Sequence, residues 1–457
     1  MKSRGCCFLY RSALIAAFAG LSAPAPAAFF QIAENSASGI GTAFAGGAAS
    51  AEDASTVWYN PAGMTRLAGP QFVVSGHYID PSFKATVNSA STVLGFPIAG
   101  GGGEAGKSAL VPNVYFTAPI TRSFSLGGGV NAPFGLVTDY DSNWAGRYHA
   151  LRSDIKTVNY NLAGAFKVND VLSAGLGINY QTLDAELTQA VDFATLCTVG
   201  GATAACGAGA GFAQPGTPND GKATVTAKGD AWGYNAGLLA QLGDTRLGLA
   251  YRSRMKHKLN GDFDITAPTN VQTSGLLTDP RFRLVDSFAR TEVTLPYTLS
   301  LSAYQEIGKG WAIMADVTRT GWKDLPELRI TFDSGQADSV VTLNLRNTYR
   351  YSLGATYKPS RAWVLRAGVA LDQSPVTSSA DRTPRLPDSD RKWLAFGAGL
   401  QATRNLSLDF GYVYIKLADS NITKIATATN ENASRGNLSV DYKGSVRVLS
   451  AQARWMF

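Results

Sequence analysis

Apolar and polar residues alternate with a period of two along most of the chain from Gln71 onward. Strict alternation over ten or more residues is typical of β-strands with one apolar and one polar face. Two of the clearest stretches are 361–372 and 404–416, in which every second residue is apolar or aromatic. Fourteen such stretches predict an all-β protein. They lie near 71–80, 108–118, 122–132, 154–167, 171–187, 222–242, 244–264, 291–307, 310–321, 341–358, 361–372, 390–403, 404–416 and 437–457.

The connections between these stretches alternate in length. Six are tight turns, and seven are longer loops that are polar or rich in glycine and proline. Outer-membrane barrels have short turns on one side and long loops on the other, whereas a soluble β-sandwich usually has shorter strands and no such regularity. We therefore predict a transmembrane antiparallel β-barrel of 14 strands over residues 70–457. Aromatic residues lie where such a barrel has its interfacial girdles: Tyr297, Trp311, Trp363, Tyr412 and Trp455.

The last predicted strand ends on an aromatic residue. Leu449, Ala451, Ala453, Trp455 and Phe457 form one apolar stripe along it. A final amphipathic strand closed by phenylalanine is the feature by which barrel-assembly machinery recognises outer-membrane proteins. This machinery is therefore an expected partner during biogenesis, and outer-membrane lipid and lipopolysaccharide would surround the folded wall.

The first 27 residues have the features of a secretory signal peptide. Lys2, Arg4 and Arg11 precede and interrupt an apolar stretch, and Ala-Pro-Ala at 25–27 supplies a cleavage site. The alternative, a lone membrane anchor, needs a longer apolar core. A signal peptide of residues 1–27 followed by a barrel predicts the outer membrane of a Gram-negative bacterium.

Composition narrows the function classes. The chain of 457 residues is 45% apolar and 16% charged, which indicates an ordered protein. No run of about eighteen apolar residues follows the N-terminus, so a helical membrane protein is excluded. The net charge of +7 falls to +4 when the three basic residues of the signal peptide are removed. The remaining basic residues are scattered, so nucleic acid is not an expected partner.

Two cysteines remain after the predicted cleavage, because Cys6 and Cys7 belong to the signal peptide. Cys197 and Cys206 would close a short loop, and in an exported protein such a pair most often forms a disulfide, which we predict here. A two-cysteine metal site is the alternative. No histidine lies nearby in the sequence to complete it, and we expect neither a metal nor another cofactor.

Residues 28–69 do not have the pattern of a strand. Small residues dominate, short helical stretches are possible around 47–54, and Asn60-Pro61 marks a turn. A barrel of fourteen strands is too wide for its own side chains to fill. We therefore predict that 28–69 is a hatch, a plug in the lumen. A free periplasmic tail is the alternative, but it would leave its aromatic residues unburied, namely Phe29, Phe30, Phe44, Trp58 and Tyr59.

Several short motifs resemble outer-membrane long-chain fatty-acid transporters of the FadL/TodX family. In the hatch they are Phe-Gln at 30–31, Ser-Gly-Ile-Gly at 38–41, Ala-Phe-Ala-Gly at 43–46, Ala-Glu-Asp-Ala-Ser at 51–55 and Asn-Pro-Ala-Gly-Met at 60–64. Further matches lie at 111–113, 132–136 and 386–391. The likeness thus covers the whole mature chain, and Asn60, Pro61 and Ala62 form its most specific element.

The resemblance implies passive movement of hydrophobic molecules through a hatch-closed barrel of fourteen strands, working as a monomer. The ligand would be captured between extracellular loops and pass to a pocket at the hatch N-terminus. That pocket carries over to Ala28, Phe29 and Phe30. Phe29 departs from the family, where a small residue is usual, and would shorten or reshape the pocket. The ligand would then leave sideways through a gap at an inward kink of the third strand.

Glycines in the third predicted strand offer a basis for this kink. Gly127, Gly128 and Gly129 weaken the strand and allow a bulge, and Pro133 cannot donate to the ladder. The alternative is that these glycines simply make room for bulky residues of the hatch. The long loop 188–221, rich in small and apolar residues, is a candidate for ligand capture.

A fatty-acid carboxylate inside the lumen needs a cationic partner, and the forked guanidinium group suits it. Alternation places Arg252, Arg346, Arg350 and Arg366 on the inner face as candidates, together with Arg454. The alternative is that these arginines pair with acidic residues of the wall or hatch: Asp316, Asp409, Glu52 or Asp53.

The expected function is uptake of long-chain fatty acids, with monoaromatic hydrocarbons such as toluene as the alternative substrate. A general diffusion porin is a remote alternative, because a hatch should prevent steady ion flow. An outer-membrane lipase is another, and it needs a serine and histidine pair. The chain has three histidines, His77, His149 and His257, and none lies in a recognisable nucleophile motif. We therefore expect no enzymatic activity.

Overall fold

The computed structural model describes residues 29–199 and 220–457. The predicted signal peptide and part of the 188–221 loop lie outside these ranges. Most of the described chain is strand, and the strands are β1 (Gln71–Ser91), β2 (Gly103–Glu104), β3 (Ala109–Pro119), β4 (Phe124–Asn131), β5 (Gly135–Asp139), β6 (Arg152–Lys167), β7 (Leu172–Asp192), β8 (Asp220–Leu242), β9 (Thr245–Arg252), β10 (Met255–Thr266), β11 (Ser287–Leu295), β12 (Thr298–Gly308), β13 (Trp311–Thr320), β14 (Glu327–Phe332), β15 (Ser339–Thr342), β16 (Thr348–Tyr357), β17 (Trp363–Asp372), β18 (Arg391–Gln401), β19 (Leu406–Leu417), β20 (Ser420–Lys424) and β21 (Asn437–Met456).

Helices are few and short. They are α1 (Ala37–Ile40), α2 (Thr56–Tyr59), α3 (Phe193–Val199) and α4 (Thr269–Thr273), with 3₁₀ helices at Pro61–Arg66 and Trp322–Asp324. Within the described ranges, no helix has the length and apolar character needed to cross a membrane.

Fourteen strands close into an antiparallel ring, which confirms the predicted fold class. Around the ring they run β1, β3, β4, β6, β7, β8, β9, β12, β13, β16, β17, β18, β19 and β21. Pairing of β21 with β1 over almost the whole length of both strands closes the barrel. Strands β10, β11, β14 and β15 pair with one another and with β8 beyond this ring, and extend the wall at the end that carries the long loops.

Several predicted strands are interrupted in the structure. The stretch 244–264 divides at Ser253 and Arg254, and 291–307 divides around Pro296, which has no N–H to offer the ladder. Alternation continues on both sides of each break, so the sequence pattern does not reveal the interruption.

The two faces of the wall differ as expected of a transmembrane barrel. Large apolar side chains cover the outside, where Leu176 and Trp232 are 69% and 67% exposed. Buried polar side chains point to the inside. Asn159 donates to Asn131 Oδ1 at 3.0 Å and lies 3.2 Å from Asn179 Oδ1, which belongs to a network of asparagines across four strands. Apolar outside and polar inside is the arrangement that lipid and a filled lumen require.

Residues 29–69, which we call the hatch, lie inside the barrel. Ile40 and Phe44 are buried with wall residues of β17 to β21, and Trp58 is buried against β3 and β6. The asparagine network reaches the hatch through Asn131 Nδ2, which donates to Asn35 Oδ1 at 2.8 Å. The aromatic side chains of this segment are thereby removed from solvent.

Candidate functional site

The motif Asn60-Pro61-Ala62 attaches the hatch to the wall. The side chain of Asn60 accepts from Ala62 N at 3.0 Å and donates to Ala48 O at 2.6 Å and to Leu238 O at 3.0 Å. Pro61 begins the following 3₁₀ helix, where its missing N–H costs nothing. Gly237 on β8 allows this approach, since a β-carbon there would lie 1.8 Å from Asn60 Oδ1. The motif thus fixes the hatch against β7 and β8.

The first described residues of the hatch form an aromatic cluster with residues of the wall and of the loops. Phe29 and Phe30 lie with ring centroids 5.0 and 5.2 Å from Trp322, and Phe30 lies 5.7 Å from Phe134. Ala28, predicted with them, lies outside the described residues. Aliphatic side chains surround the four rings, among them Leu136, Leu183, Leu259, Val293, Leu295, Leu325, Leu343, Leu345, Val376 and Leu386. We call this set the aromatic chamber.

The alternation pattern does not identify Trp322, which is also part of the chamber. It lies in a 3₁₀ turn between Gly321 and Pro326, where β13 breaks off before β14. Its side chain is fully buried. A tryptophan flanked by glycine and proline in an otherwise polar loop is the sequence signal that could have indicated it.

The third strand of the wall is broken between β4 and β5, at Ala132, Pro133 and Phe134. The glycine run lies before the break, within the regular ladder. Gly127 pairs with Thr117 on β3 and Ala163 on β6, and Gly128 and Gly129 continue both ladders. A β-carbon on Gly127 would meet Met64 Sδ and Val57 Cγ2 at 2.6 Å, so this glycine makes room for the hatch.

The break leaves a gap in the strand pairing on one side of the wall. In the described chain, β3 pairs with β4 only from Val114 to Pro119, and β5 pairs with β6 rather than with β3. The hatch covers the inside of this opening as a short additional strand. Ile32 N donates to Pro133 O at 2.7 Å, and Gly135 N donates to Phe30 O at 2.8 Å. We call the region between 109–113 and 132–135 the lateral opening.

Two of the four candidate arginines are occupied by residues of the hatch. Arg252 stacks on Trp58, with Cζ 3.1 Å from the ring centroid, and donates to Trp58 O. Arg366 is almost fully buried and pairs with Glu52 and, at 2.9 Å, with Asp409. These contacts hold the hatch in place.

Arg350 and Arg346 lie nearer the extracellular half of the wall. Arg350 Nη2 is 3.9 Å from Asp316 Oδ1. Arg346 is half exposed, with Nη2 3.9 Å from Asp390 Oδ1 and Nε donating to Ser374 O at 3.1 Å. Arg454, at the periplasmic end, donates to Glu52 O at 3.0 Å.

A groove of about 740 Å³ lies between the strand extensions and the extracellular loops. Apolar side chains form much of its wall, including Leu187, Val225, Phe263, Ile265 and Phe332. The described part of the 188–221 loop contributes Gln189, Ala190, Val191 and Leu196. We call this space the loop groove.

Two buried arginines line the loop groove, and alternation cannot identify them because both lie outside regular strands. Arg385 donates to Gln189 Oε1 at 2.9 Å and to Ser153 Oγ at 3.3 Å. Arg435 donates to Val340 O at 2.7 Å and to Ser339 Oγ at 3.1 Å.

Their hydrogen-bond partners are neutral. Over 29–199 and 220–457, neither guanidinium has a carboxylate oxygen within 4.0 Å. Burial, and the nearby charge of Arg435, lower the pKa of Arg385 to about 9. Glu431, which also lines the groove, acts electrostatically on Arg435, whereas the charge that acts on Arg385 is that of Arg435. A buried cation in the position of Arg385 favours the binding of an anion.

The histidines are enclosed rather than presented to a substrate. His77 is fully buried, with Nδ1 2.7 Å from Ser450 Oγ and Nε2 3.2 Å from Ser75 Oγ. His149 is buried in an extracellular loop, with Nε2 3.2 Å from Gly436 O. His257 is also buried. Among the described side chains, no group of three or more histidines, cysteines and acids is placed to hold a metal ion.

Cys197 lies in α3, packed against Phe193, Val271 and Leu276, and is disulfide-bonded. Cys206, its predicted partner, lies outside the described residues, so the pairing stays a prediction.

Comparisons with known proteins agree with this architecture. Residues 18–457 match the model of the family described as outer membrane protein transport protein (OMPP1/FadL/TodX). The chain is 33% identical over 436 residues to outer membrane protein P1 of Haemophilus influenzae, covering 92% of each chain. It is 32% identical over 417 residues to the long-chain fatty acid transport protein of Escherichia coli K12, covering 89% of this chain and 91% of the relative.

Solved structures are similar over the same length. A Pseudomonas aeruginosa FadL homologue superimposes with a TM-score of 0.84 at 26% identity, covering 94% of this chain and all of that one. The toluene transporter TodX of P. putida shares the fold, with a TM-score of 0.62 at 16% identity and 88% and 94% coverage. The relatives and the barrel place the protein in the Gram-negative outer membrane. The chain belongs to the OMPP1/FadL/TodX family of outer-membrane proteins that transport hydrophobic compounds.

Proposed function

We propose that this protein carries long-chain fatty acids passively across the outer membrane. The observation that carries the proposal is the loop groove, in which apolar side chains meet two buried arginines, Arg385 and Arg435, whose described hydrogen-bond partners are neutral. Glu431 lies near Arg435, and Arg385 has no carboxylate oxygen within 4.0 Å in the described chain. A fatty acid offers an acyl chain to the walls and a carboxylate to the guanidinium groups. A monoaromatic hydrocarbon would leave the charge of Arg385 uncompensated, and this favours the fatty acid over the alternative substrate.

Similarity to relatives supports the same substrate class. The E. coli relative is named a long-chain fatty acid transport protein, and the chain is aligned with most of its length. The toluene transporter shares the fold, but its identity of 16% is too low for its substrate to be assigned to this chain.

The aromatic chamber is the proposed second binding site, after the loop groove. Phe29 and Phe30 fill it in the structure, so an acyl chain that enters must displace them. Phe29 has a φ of 57°, in the left-handed region that is unfavourable for a residue with a β-carbon. Its conformation therefore depends on the surrounding contacts, and an acyl chain that replaces those contacts would release it.

Displacement of Phe29 and Phe30 would act on the lateral opening. The backbone hydrogen bonds between Phe30 and Gly135 and between Ile32 and Pro133 hold the start of the hatch across it. Loss of these bonds would leave a route from the chamber to the membrane through the wall. The motif Asn60-Pro61-Ala62 would hold the rest of the hatch in place meanwhile.

The proposal includes no chemical step. His77 contacts two serines, but its ring is fully buried and neither of the described contacts is with a carboxylate that could orient it for catalysis. Movement would follow the ligand gradient through a single barrel, without a cofactor.

Uptake of labelled oleate by a Gram-negative host that lacks its own fatty-acid transporter tests the proposal. Cells expressing the protein should take up oleate. In the variant Arg385→Gln/Arg435→Gln the rate of oleate uptake should fall about tenfold, as expected for loss of charge-assisted hydrogen bonds. Arg254→Gln is the matched control, because Arg254 is two-thirds exposed and pairs with Asp324 away from the groove.

Two outcomes would contradict the proposal. Protein that is folded in the outer membrane and takes up toluene but not oleate would support the monoaromatic alternative. Equal oleate uptake by the double arginine variant and by wild type would remove the assigned carboxylate site.

A further inference from the structure

The lipid-facing surface carries an apolar groove of about 730 Å³ that crosses β1, β3, β18, β19 and β21. One side is a row of bulky residues, each paired with the next across the strands: Phe396, Tyr412, Leu449, Tyr78 and Leu110. The adjacent row includes the small residues Gly76 and Ala451, which pair directly with each other. The step between the two rows makes the depression, which we call the exit groove.

The exit groove begins at the lateral opening. Leu110 is its last bulky residue, 46% exposed, and it lies in the part of β3 that β4 does not pair with. If the pairing of β3 with β4 continued past the break in the same register, Phe134 would lie beside Leu110. Phe134 instead turns inward to Phe30 and Trp322. The groove therefore continues from the place where the wall lacks its third strand.

The lining suits hydrocarbon and nothing charged. Among the described residues, no Lys, Arg, Asp or Glu lines the groove, and its polar side chains are those of Tyr78, Tyr412 and Ser450. Its volume falls in the range of about 300–1,000 Å³ that is usual for small-molecule sites. The occupant would therefore be an alkyl chain whose polar end lies elsewhere.

We propose that the exit groove receives the acyl chain of the transported molecule as it leaves the lateral opening. The inference rests on the proposed function, because it assigns the next position on the same route. Continuity with the opening favours a departing substrate over a membrane lipid as the occupant. By holding the chain against the outer wall, the groove would guide it away from the opening and hinder its return.

Filling the groove tests the inference. A β-carbon on Gly76 would meet only Leu110 Cδ1, at 3.9 Å, so Gly76→Leu/Ala451→Leu should fold and occupy the depression. Initial oleate uptake should fall about fivefold, while oleate binding by the purified protein stays at the wild-type level. Ala174→Leu/Ala236→Leu is the matched control, since both alanines face outward on β7 and β8, away from the opening, and should leave uptake unchanged.

Photo-crosslinking identifies the occupant. Oleate with a mid-chain diazirine, applied to isolated outer membranes, should label peptides that contain Tyr78 or Leu449. Gln31 and Phe134 form an isolated antiparallel bridge across the opening. A disulfide in the double variant Gln31→Cys/Phe134→Cys should therefore close the route from inside and abolish this labelling. Equal labelling in the locked protein would show that the chain comes from the membrane and would overturn the inference.

The outcomes separate the two proposals. Absence of oleate uptake by wild type would overturn both. Wild-type uptake that persists unchanged in Gly76→Leu/Ala451→Leu would overturn the exit groove alone.

Discussion

Glu34 is a fully buried acid of the hatch, two residues after the strand that covers the lateral opening. Neither of its carboxylate oxygens has a hydrogen-bond partner in the described chain. Burial raises the pKa of Glu34 from 4.5 to about 7, against the opposing charges of Arg350 and Arg391. Those arginines also contact wall or loop carboxylates, namely Asp316, Asp372 and Asp388.

The sign of the pH dependence follows from this shift. When the hatch is in place, Glu34 holds its proton up to about pH 7, whereas in a released hatch it would lose that proton above about pH 4.5. The free energy that keeps the hatch in place is therefore largest below pH 4.5 and decreases as the pH rises to about 7. We expect transient ion conductance of the purified protein in planar bilayers to increase from pH 5 to 7. Glu34→Gln should flatten that dependence, whereas an identical pH profile in the variant would show that another group controls the hatch.

Gly237 is the residue on which the hatch motif depends most closely. Gly237→Ala would place a methyl group 1.8 Å from Asn60 Oδ1, and overpacking of this kind costs about 1–3 kcal/mol. We expect the hatch to loosen and sensitivity to a large antibiotic such as vancomycin to rise. Gly164→Ala is the control, because its nearest contact would be an ordinary 3.4 Å to Phe124. Equal sensitivity in the two variants would mean that the motif does not seat the hatch.

At the scale of single elements, much of the wall follows from the sequence. Alternation identifies each strand of the ring, because lipid outside and a polar lumen inside impose period two on every one. It cannot identify the breaks, since the pattern continues across Ser253 and Pro296.

Long-range contacts account for the rest. Arg366 meets Glu52 and Asp409, and Arg252 meets Trp58, through contacts that only the closed barrel creates. Arg385 and Arg435 lie in loops, where periodicity gives no direction. The sequence therefore indicates the wall well and the contacts inside the lumen and loops poorly.

The broken third strand yields a prediction at this scale. Gln31 and Phe134 form an isolated antiparallel bridge, so cysteines at both positions should form a disulfide that fixes the hatch across the lateral opening. Oleate uptake should stop in the oxidised double variant and return on mild reduction. Each single cysteine variant, reduced in parallel, controls for the loss of the disulfide at Cys197. Full uptake by the oxidised double variant would exclude this opening as the route.

At the scale of the whole molecule, the barrel and the hatch have different roles. Fourteen strands make a wall too wide to be filled by its own side chains, and the hatch fills it through the aromatic chamber and the ion pairs at Arg366. The wall alone would be a water-filled channel. On the proposed route, the combination would allow passage of a molecule that can leave sideways into lipid and would oppose passage of ions.

Deletion of 29–69 tests these roles. The variant, with residues 1–28 and Phe457 retained, should assemble, because β1 to β21 close the ring without the hatch. It should show large, steady conductance, whereas the intact protein should show at most brief openings. Heat-dependent gel mobility would establish that the deleted protein is a folded barrel. Steady conductance of the intact protein equal to that of the variant would instead indicate a general diffusion porin, since a hatch that leaves ion flow unhindered cannot direct a hydrophobic molecule to the wall.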